Sequence, residues 1–247
     1  MARLTLLTVV LMLGTLIVNT YGDLTCVTRK SELSGTSDDD QARVTCEEGE
    51  QMTGCSSYLP GPGGHGTRDG DFFEVAATGE VTCVARNGYT GTGVYAIARC
   101  CKKDNLQCGY VQSPQSGSDD DALTYVQTQL TGCSAHTYWK NIDGPYPDVE
   151  ENRCTAKNGA DGQGLWASAA YCSAVSLQCV DKRSEKSGGQ QGDTATVSCD
   201  DGWVLTGCNS YTAYKVNDGA YVTDADECVA VNGGNNNWVE AIAICCQ

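Results

Sequence analysis

The chain is poor in histidine, phenylalanine and positive charge. Its 247 residues include two histidines, two phenylalanines and five prolines, with 16 Lys and Arg against 31 Asp and Glu. The net charge of −15 argues against nucleic acid and anionic membrane surfaces as partners, since both repel an acidic chain. Aromatic packing is left to twelve tyrosines and four tryptophans. No Gly-x-Ser-x-Gly elbow and no His-Glu-x-x-His sequence occurs, so neither a hydrolase nucleophile nor a zinc-protease helix is encoded. There is no Asn-x-Ser/Thr acceptor for N-glycosylation. One long apolar run, residues 4–18, is broken only by Thr5, Thr8, Gly14 and Thr15. It follows Arg3 and precedes small or polar residues up to Gly22, so residues 1–22 read as a secretory signal peptide. No later run of 18 apolar residues exists, and no membrane insertion is expected.

Cysteine is what the chain has in abundance. All 16 lie beyond residue 22. Behind an export signal, an even set reads as a disulfide framework in an oxidising, extracellular compartment, not as zinc ligands or nucleophiles. The cysteines repeat. A Thr-Gly-Cys triplet ends at Cys55, Cys133 and Cys208. Each is followed by Cys-x-Ala-x-Asn-Gly, opening at Cys83, Cys154 and Cys228. A last cysteine comes 18 positions later, at Cys101, Cys172 and Cys246. The chain therefore contains three copies of one unit, with modules at 23–101, 102–172 and 173–247.

The middle copy departs from the pattern in two slots. Thr124 stands where the others have Cys46 and Cys199, and Tyr171 where they have Cys100 and Cys245. Two cysteines that vanish together are partners, because a lone survivor would be a reactive thiol. This pairs Cys46–Cys100 and Cys199–Cys245. Adjacent cysteines on a strand face opposite ways, so the two members of a doublet reach different partners. The third and fourth slots flank one long loop, and closing it pairs Cys55–Cys83, Cys133–Cys154 and Cys208–Cys228. The first cysteine is then left for the last: Cys26–Cys101, Cys108–Cys172 and Cys179–Cys246. The middle module, one bridge short, is expected to be the weakest unless its neighbours support it, with Tyr171 and Trp166 filling the vacated space.

Residues 94–99, 165–170 and 239–244 alternate alanine with other side chains, the pattern of a strand packed closely on one face. Asn-Gly pairs at 87–88, 158–159 and 232–233 mark tight turns. No segment shows capped helical periodicity. The reading is all-β, with long polar loops. The loops around 60–75, 137–150 and 211–224 vary most between copies, and binding specificity is expected there.

The string from Val197 to Ser210 (VSCDDGWVLTGCNS), followed by Cys228 and the 241–246 run ending in Cys245-Cys246, resembles the Cys/His-rich C-terminal domain of the proprotein convertase subtilisin/kexin type 9 family. The resemblance covers essentially the whole chain after the leader. It implies three small antiparallel β-sandwich modules of resistin type in a pseudo-threefold arrangement. It also implies one-to-six, two-to-five and three-to-four disulfide pairing. In that family the domain follows a subtilisin-like protease and is rich in histidine. This sequence has no such protease, and its histidines are His65 and His136 alone.

Acidic clusters are the remaining candidates for chemistry. Asp38, Asp39 and Asp40 in the first module, and Asp119, Asp120 and Asp121 in the second, precede the strand leading to the second-cysteine slot. Their hard oxygens suit calcium, though neither fits an EF-hand loop, so weak affinity is expected. The sequence reading is a secreted, acidic, non-catalytic structural or interaction protein of an extracellular or mineralised matrix, binding a protein, matrix or mineral surface. The alternative is a soluble binding module or ligand for a cell-surface protein. No catalytic residue and no cofactor beyond weak calcium is expected.

Overall fold

The computed structural model describes residues 22–61, 68–138, 142–159, 162–213 and 216–247. The leader, apart from Gly22, and His65 lie outside them. The described residues contain eighteen strands and no helix. The first module holds β1 (Thr25–Lys30), β2 (Gln41–Thr45), β3 (Gln51–Tyr58), β4 (Arg68–Val75), β5 (Val81–Asn87) and β6 (Tyr95–Lys102). The second holds β7 (Gln107–Gln112), β8 (Ala122–Tyr125), β9 (Gln129–His136), β10 (Ile142–Asp148), β11 (Arg153–Asn158) and β12 (Trp166–Ser173). The third holds β13 (Cys179–Arg183), β14 (Thr194–Val197), β15 (Val204–Tyr211), β16 (Asn217–Val222), β17 (Cys228–Asn232) and β18 (Glu240–Cys246). Each module is a sandwich of two antiparallel three-stranded sheets, such as β1-β6-β3 facing β2-β5-β4 in the first.

The alanine alternation explains the sandwich. Ala96 and Ala98, Ala167 and Ala169, and Ala241 and Ala243 are fully buried and let the facing sheets approach. Eight disulfides then clamp them, and every pair drawn from the spacing lies at bonding distance. Cys26–Cys101, Cys108–Cys172 and Cys179–Cys246 join directly opposed residues of first and last strands, with Cα separations of 4.0–4.1 Å. Cys46–Cys100, Cys55–Cys83, Cys133–Cys154, Cys199–Cys245 and Cys208–Cys228 cross between sheets, at 5.2–5.7 Å. No cysteine is free among the described residues.

Two repeated bulges close the modules into a ring. In each third strand the threonine of Thr-Gly-Cys is skipped in the pairing register, a one-residue bulge that bends the strand. The following glycine lies against a neighbour's backbone. A Cβ on Gly54 would strike the Thr206 carbonyl, one on Gly207 the Thr131 carbonyl, and one on Gly132 the Thr53 carbonyl. The contacts are cyclic and run round a pseudo-threefold axis. The second bulge skips Asp69, Asp143 and Asp218 in each fourth strand. Gly70, Gly144 and Gly219 follow at positive φ, and their α-carbons face the carbonyls of Ala135, Ser210 and Ser57 in the next module. The skipped aspartates present their own carbonyls to that module. Thr137 N donates to Asp69 O at 2.8 Å, Thr212 N to Asp143 O at 3.0 Å, and Leu59 N to Asp218 O at 2.8 Å. Sheets thus continue from one module into the next, giving six-stranded β1-β6-β3-β16-β17-β14 and β2-β5-β4-β9-β12-β7.

Two expectations need correction. The variable segments are not wholly loops: residues 68–75, 142–148 and 217–222 are the fourth strands, largely buried because they form the seams. Trp166 does not fill the space of the missing bridge. It lies at the far end of β12, stacked on His136 with ring centroids 5.0 Å apart. The Asn-Gly pairs of the first two modules do mark turns, which start at the glycine: Gly91 N donates to Gly88 O and Gly162 N to Gly159 O, both at 2.9 Å. The asparagine of the first and third modules is fully buried, and its amide ties down the loop, as in Asn87 Nδ2 to Ser37 O at 2.8 Å. The middle module gains support from packing: its core merges with Leu24 and Cys101 on one side and Leu177, Ile244 and Cys246 on the other.

The axis contacts predict a graded response to alanine. Gly54→Ala and Gly132→Ala each cost about 1–3 kcal/mol through overpacking, lowering the melting temperature measured by calorimetry. Gly189→Ala, whose Cβ meets only Asn237 O at 3.8 Å, changes stability by less than about 0.5 kcal/mol.

Candidate functional site

The seams bring together side chains far apart in sequence. Two residues past each seam glycine stands an aromatic ring: Phe72, Tyr146 or Tyr221. Each meets the ring ending the third strand of the next module. The centroid separations are 4.5 Å for Phe72–His136, 4.9 Å for Tyr146–Tyr211 and 4.9 Å for Tyr221–Tyr58. Such pairs contribute about 0.5–1.5 kcal/mol beyond area burial. The flanking position at the end of the first strand differs: Lys30, Gln112 and Arg183 oppose Ile97, Ser168 and Ile242.

These side chains take different places at their seams. Arg183 lies over Tyr146, its guanidinium carbon 4.1 Å from the ring centroid. Lys30 instead turns onto Tyr95, 3.6 Å from that centroid. The seam between the third and first modules opens into a groove of about 420 Å³, lined by Thr28, Lys30, Tyr58, Tyr221, Thr223 and Asp224 with Ile97 and Val222 beneath. The groove offers two aromatic faces rimmed by hydroxyls, one ammonium and one carboxylate. A smaller recess of about 190 Å³ lies beside Phe73 and Tyr110.

Buried ionic groups lie along the seams. Arg68 is 4% exposed. Its Nη1 donates to Ser57 Oγ at 2.8 Å, Nη2 to Ser210 Oγ at 3.3 Å and Nε to Asn217 O at 3.1 Å. Nη1 also lies 3.4 Å from Asp71 Oδ2. Burial nevertheless pushes the Asp71 carboxyl up to about 6. Burial pushes Asp218 up to about 7, with Arg68 pulling the other way. Asp69 is raised to about 7, by burial first and then by Asp38. His136, stacked between Phe72 and Trp166, is held down to about 3 by burial and by Arg86. Arg99, also buried, crosses from the first module to the third: Nε donates to Leu205 O at 2.9 Å and Nη1 to Asp226 Oδ1 at 2.9 Å.

The acidic triplets are largely engaged locally. Asp40 Oδ2 accepts from Ser37 N at 2.8 Å, and Asp39 pairs with Arg86. Asp121 accepts from Lys157 at 2.6 Å and from Asn158 N at 3.0 Å, while the Asp120 carbonyl accepts from Asn158 Nδ2 at 3.1 Å. Asp38, Asp39, Asp119, Asp120 and Asp121 are exposed. Only Asp38 and Asp39 are joined by a third carboxylate, that of Asp69, among the described residues. Sequence reasoning missed the seam residues. Their signal was an Asp-Gly-x-aromatic repeat at 69–72, 143–146 and 218–221, hidden because these segments otherwise diverge.

Disulfide-stapled β-sandwich modules, closed into a ring by backbone contacts at glycine, define a class of triplicated extracellular-type domain. Residues 18–105 and 173–247 each match a family model of the proprotein convertase subtilisin-like/kexin type 9 C-terminal domain, and these two modules belong to that family. The chain is 31% identical to proprotein convertase subtilisin/kexin type 9 of Rattus norvegicus over 238 residues, and equally to that of Mus musculus. The alignments cover 92% of this chain and 33% of each relative, so the chain spans a third of their length.

The buried groups make opposite contributions to stability against pH. The folded Asp218 carboxyl holds its proton up to about 7, so its contribution is intact below the ordinary aspartate value near 4 and is lost as pH rises toward 7. Folded His136 stays neutral down to about 3, so its contribution is intact above about 6.5 and is lost as pH falls. Asp218→Asn should therefore melt higher than the parent at pH 8 and lose that advantage toward pH 4. His136→Tyr, which installs the ring found in the other modules, should flatten the loss between pH 6.5 and 4. Calorimetric scans across pH 4–8 measure both.

Proposed function

We propose that the chain is an extracellular, non-catalytic binding module whose contact region centres on the groove between the third and first modules. The observation that carries this reading is the groove itself. It is a mixed aromatic and polar recess on a framework whose sheets, seams and disulfides leave little freedom to rearrange, so a partner meets a preformed surface. The kinship to a convertase C-terminal domain supports a role in engaging other proteins. It also supports separation of that role from proteolysis. The export-type leader and the bridge-rich framework support an extracellular setting. The fitting partner is a cell-surface protein presenting an apolar or aromatic side chain beside charges of both signs, to meet Tyr58, Tyr221, Lys30 and Asp224. Labelled protein should bind intact cells saturably, and protease treatment of the cells should remove the binding. Thr223→Arg, which fills the groove from its rim, should weaken binding at least tenfold, while loss of the hydrogen bond that Glu227 N donates to Thr223 Oγ1 at 3.2 Å lowers stability by only about 0.5–1.5 kcal/mol. Unchanged binding by this variant sinks the assignment of the groove.

A second reading, a matrix or mineral-associated protein with weak calcium affinity, is favoured by the triplets Asp38–Asp40 and Asp119–Asp121, all exposed but for Asp40, together with the net charge of −15. It expects adsorption to calcium carbonate that falls with salt and is unaffected by Thr223→Arg.

A further inference from the structure

We infer that Asp38, Asp39 and Asp69 form a single calcium site in the first module, distinct from the diffuse attraction of the acidic triplets. It stands independently of the groove and its partner. The three carboxylates come from two segments, the 35–40 loop and the bulge of β4, and their oxygens lie within 4.8 Å of one another. Asp38 and Asp39 are exposed, whereas Asp69 is 1% exposed and its Oδ1 has no hydrogen-bond partner. A buried carboxylate oxygen without a donor is costly, and two more carboxylates beside it raise that cost.

Arg86 is the cation at the cluster. It donates to Asp39 and stacks over Tyr138 at 3.9 Å, leaving Asp69 Oδ1 unsatisfied. A cation held by Asp38 and Asp39 from the exposed side is also within reach of the Asp69 carboxylate, since one oxygen of each residue lies within 4.8 Å of the others. All three donors are hard oxygens, which selects calcium over zinc. The rest of the coordination shell falls to water, which sets the affinity in the range of extracellular modules, about 10⁻⁴–10⁻³ M.

The loop is already held for this task. Asp39 N donates to Asn87 O at 3.0 Å, Asn87 N to Asp40 O at 2.9 Å, and Asn87 Nδ2 to Ser37 O at 2.8 Å. Because Asp69 O also accepts from Thr137 N of the second module, an ion here ties the loop to a seam. Among the described residues, the other copies lack the arrangement. Asp121 is spent on Lys157. In the third module Gly192 takes the place of Asp39, donating to Asn232 O as Asp39 does to Asn87 O.

Isothermal titration of calcium chloride into the secreted full chain, with its bridges verified by non-reducing peptide mapping, tests the site. The parent should bind one calcium per chain, and calcium should raise its melting temperature. Asp69→Asn should weaken binding at least tenfold. The exposed pair Asp38→Asn/Asp39→Asn gives the same binding loss should the buried variant fold poorly, and Asp119→Asn/Asp120→Asn should bind as the parent does. Absence of saturable binding up to about 10 mM, with Arg86 acting as the permanent counter-ion, overturns the site. So does undiminished binding by both Asp69→Asn and the Asp38/Asp39 variant.

Discussion

Three backbones meet at the pseudo-threefold axis, and each approaches the next through a glycine with no room for a Cβ. The rest of the structure depends on that approach. Gly54, Gly132 and Gly207 bring the third strands together, which places the fourth strands where Gly70, Gly144 and Gly219 can run against a neighbouring module. Sheet pairing between modules follows, and with it the aromatic pairs at the seams. A side chain at any axis position would push apart modules whose disulfides and cores were otherwise intact.

Disulfides do a different job. Modules of this size are marginal for a self-sufficient apolar core, and the inner faces here are lined by alanine and cysteine more than by large side chains. Bridges between sheets compensate by restricting the unfolded chain, at about 2–4 kcal/mol each. The middle module lacks one, and its core is the one that fuses with both neighbours. Loss of a covalent constraint is matched there by apolar packing across module boundaries. The result is a rigid body whose variation is confined to seam edges and loops, as expected of a scaffold for recognition.

Charge is organised by burial. Most carboxylates lie in loops, where they cap turns or pair with Lys and Arg on the surface, contributing little each. A few charged groups are buried where modules meet: Arg68 with Asp71, Arg99 reaching Leu205 and Asp226, and Asp69 and Asp218 at the seam bulges. Removing one partner from such a cluster leaves an uncompensated charge. These groups therefore fix the register of the modules more than they add stability.

The sequence by itself determined the triplication, the strand-rich class and the bridges. Cysteine spacing survives any drift in surface residues, and the joint loss of Thr124 and Tyr171 from the cysteine pattern identified a bonded pair. The alanine alternation disclosed which faces pack closely. Thr-Gly-Cys was visible as a repeat, but its reason was not, because the atom that excludes a Cβ belongs to another module. The same holds for Asp69. On the page of the sequence it is one carboxylate in a variable segment, and only folding buries it beside Asp38 and Asp39 with an oxygen that has no hydrogen-bond donor. Trp166 was assigned to the wrong space for the same reason: its neighbour His136 lies 30 positions away. Local pattern specifies strands and loop closures, whereas contact across modules depends on a ring geometry that no short segment encodes.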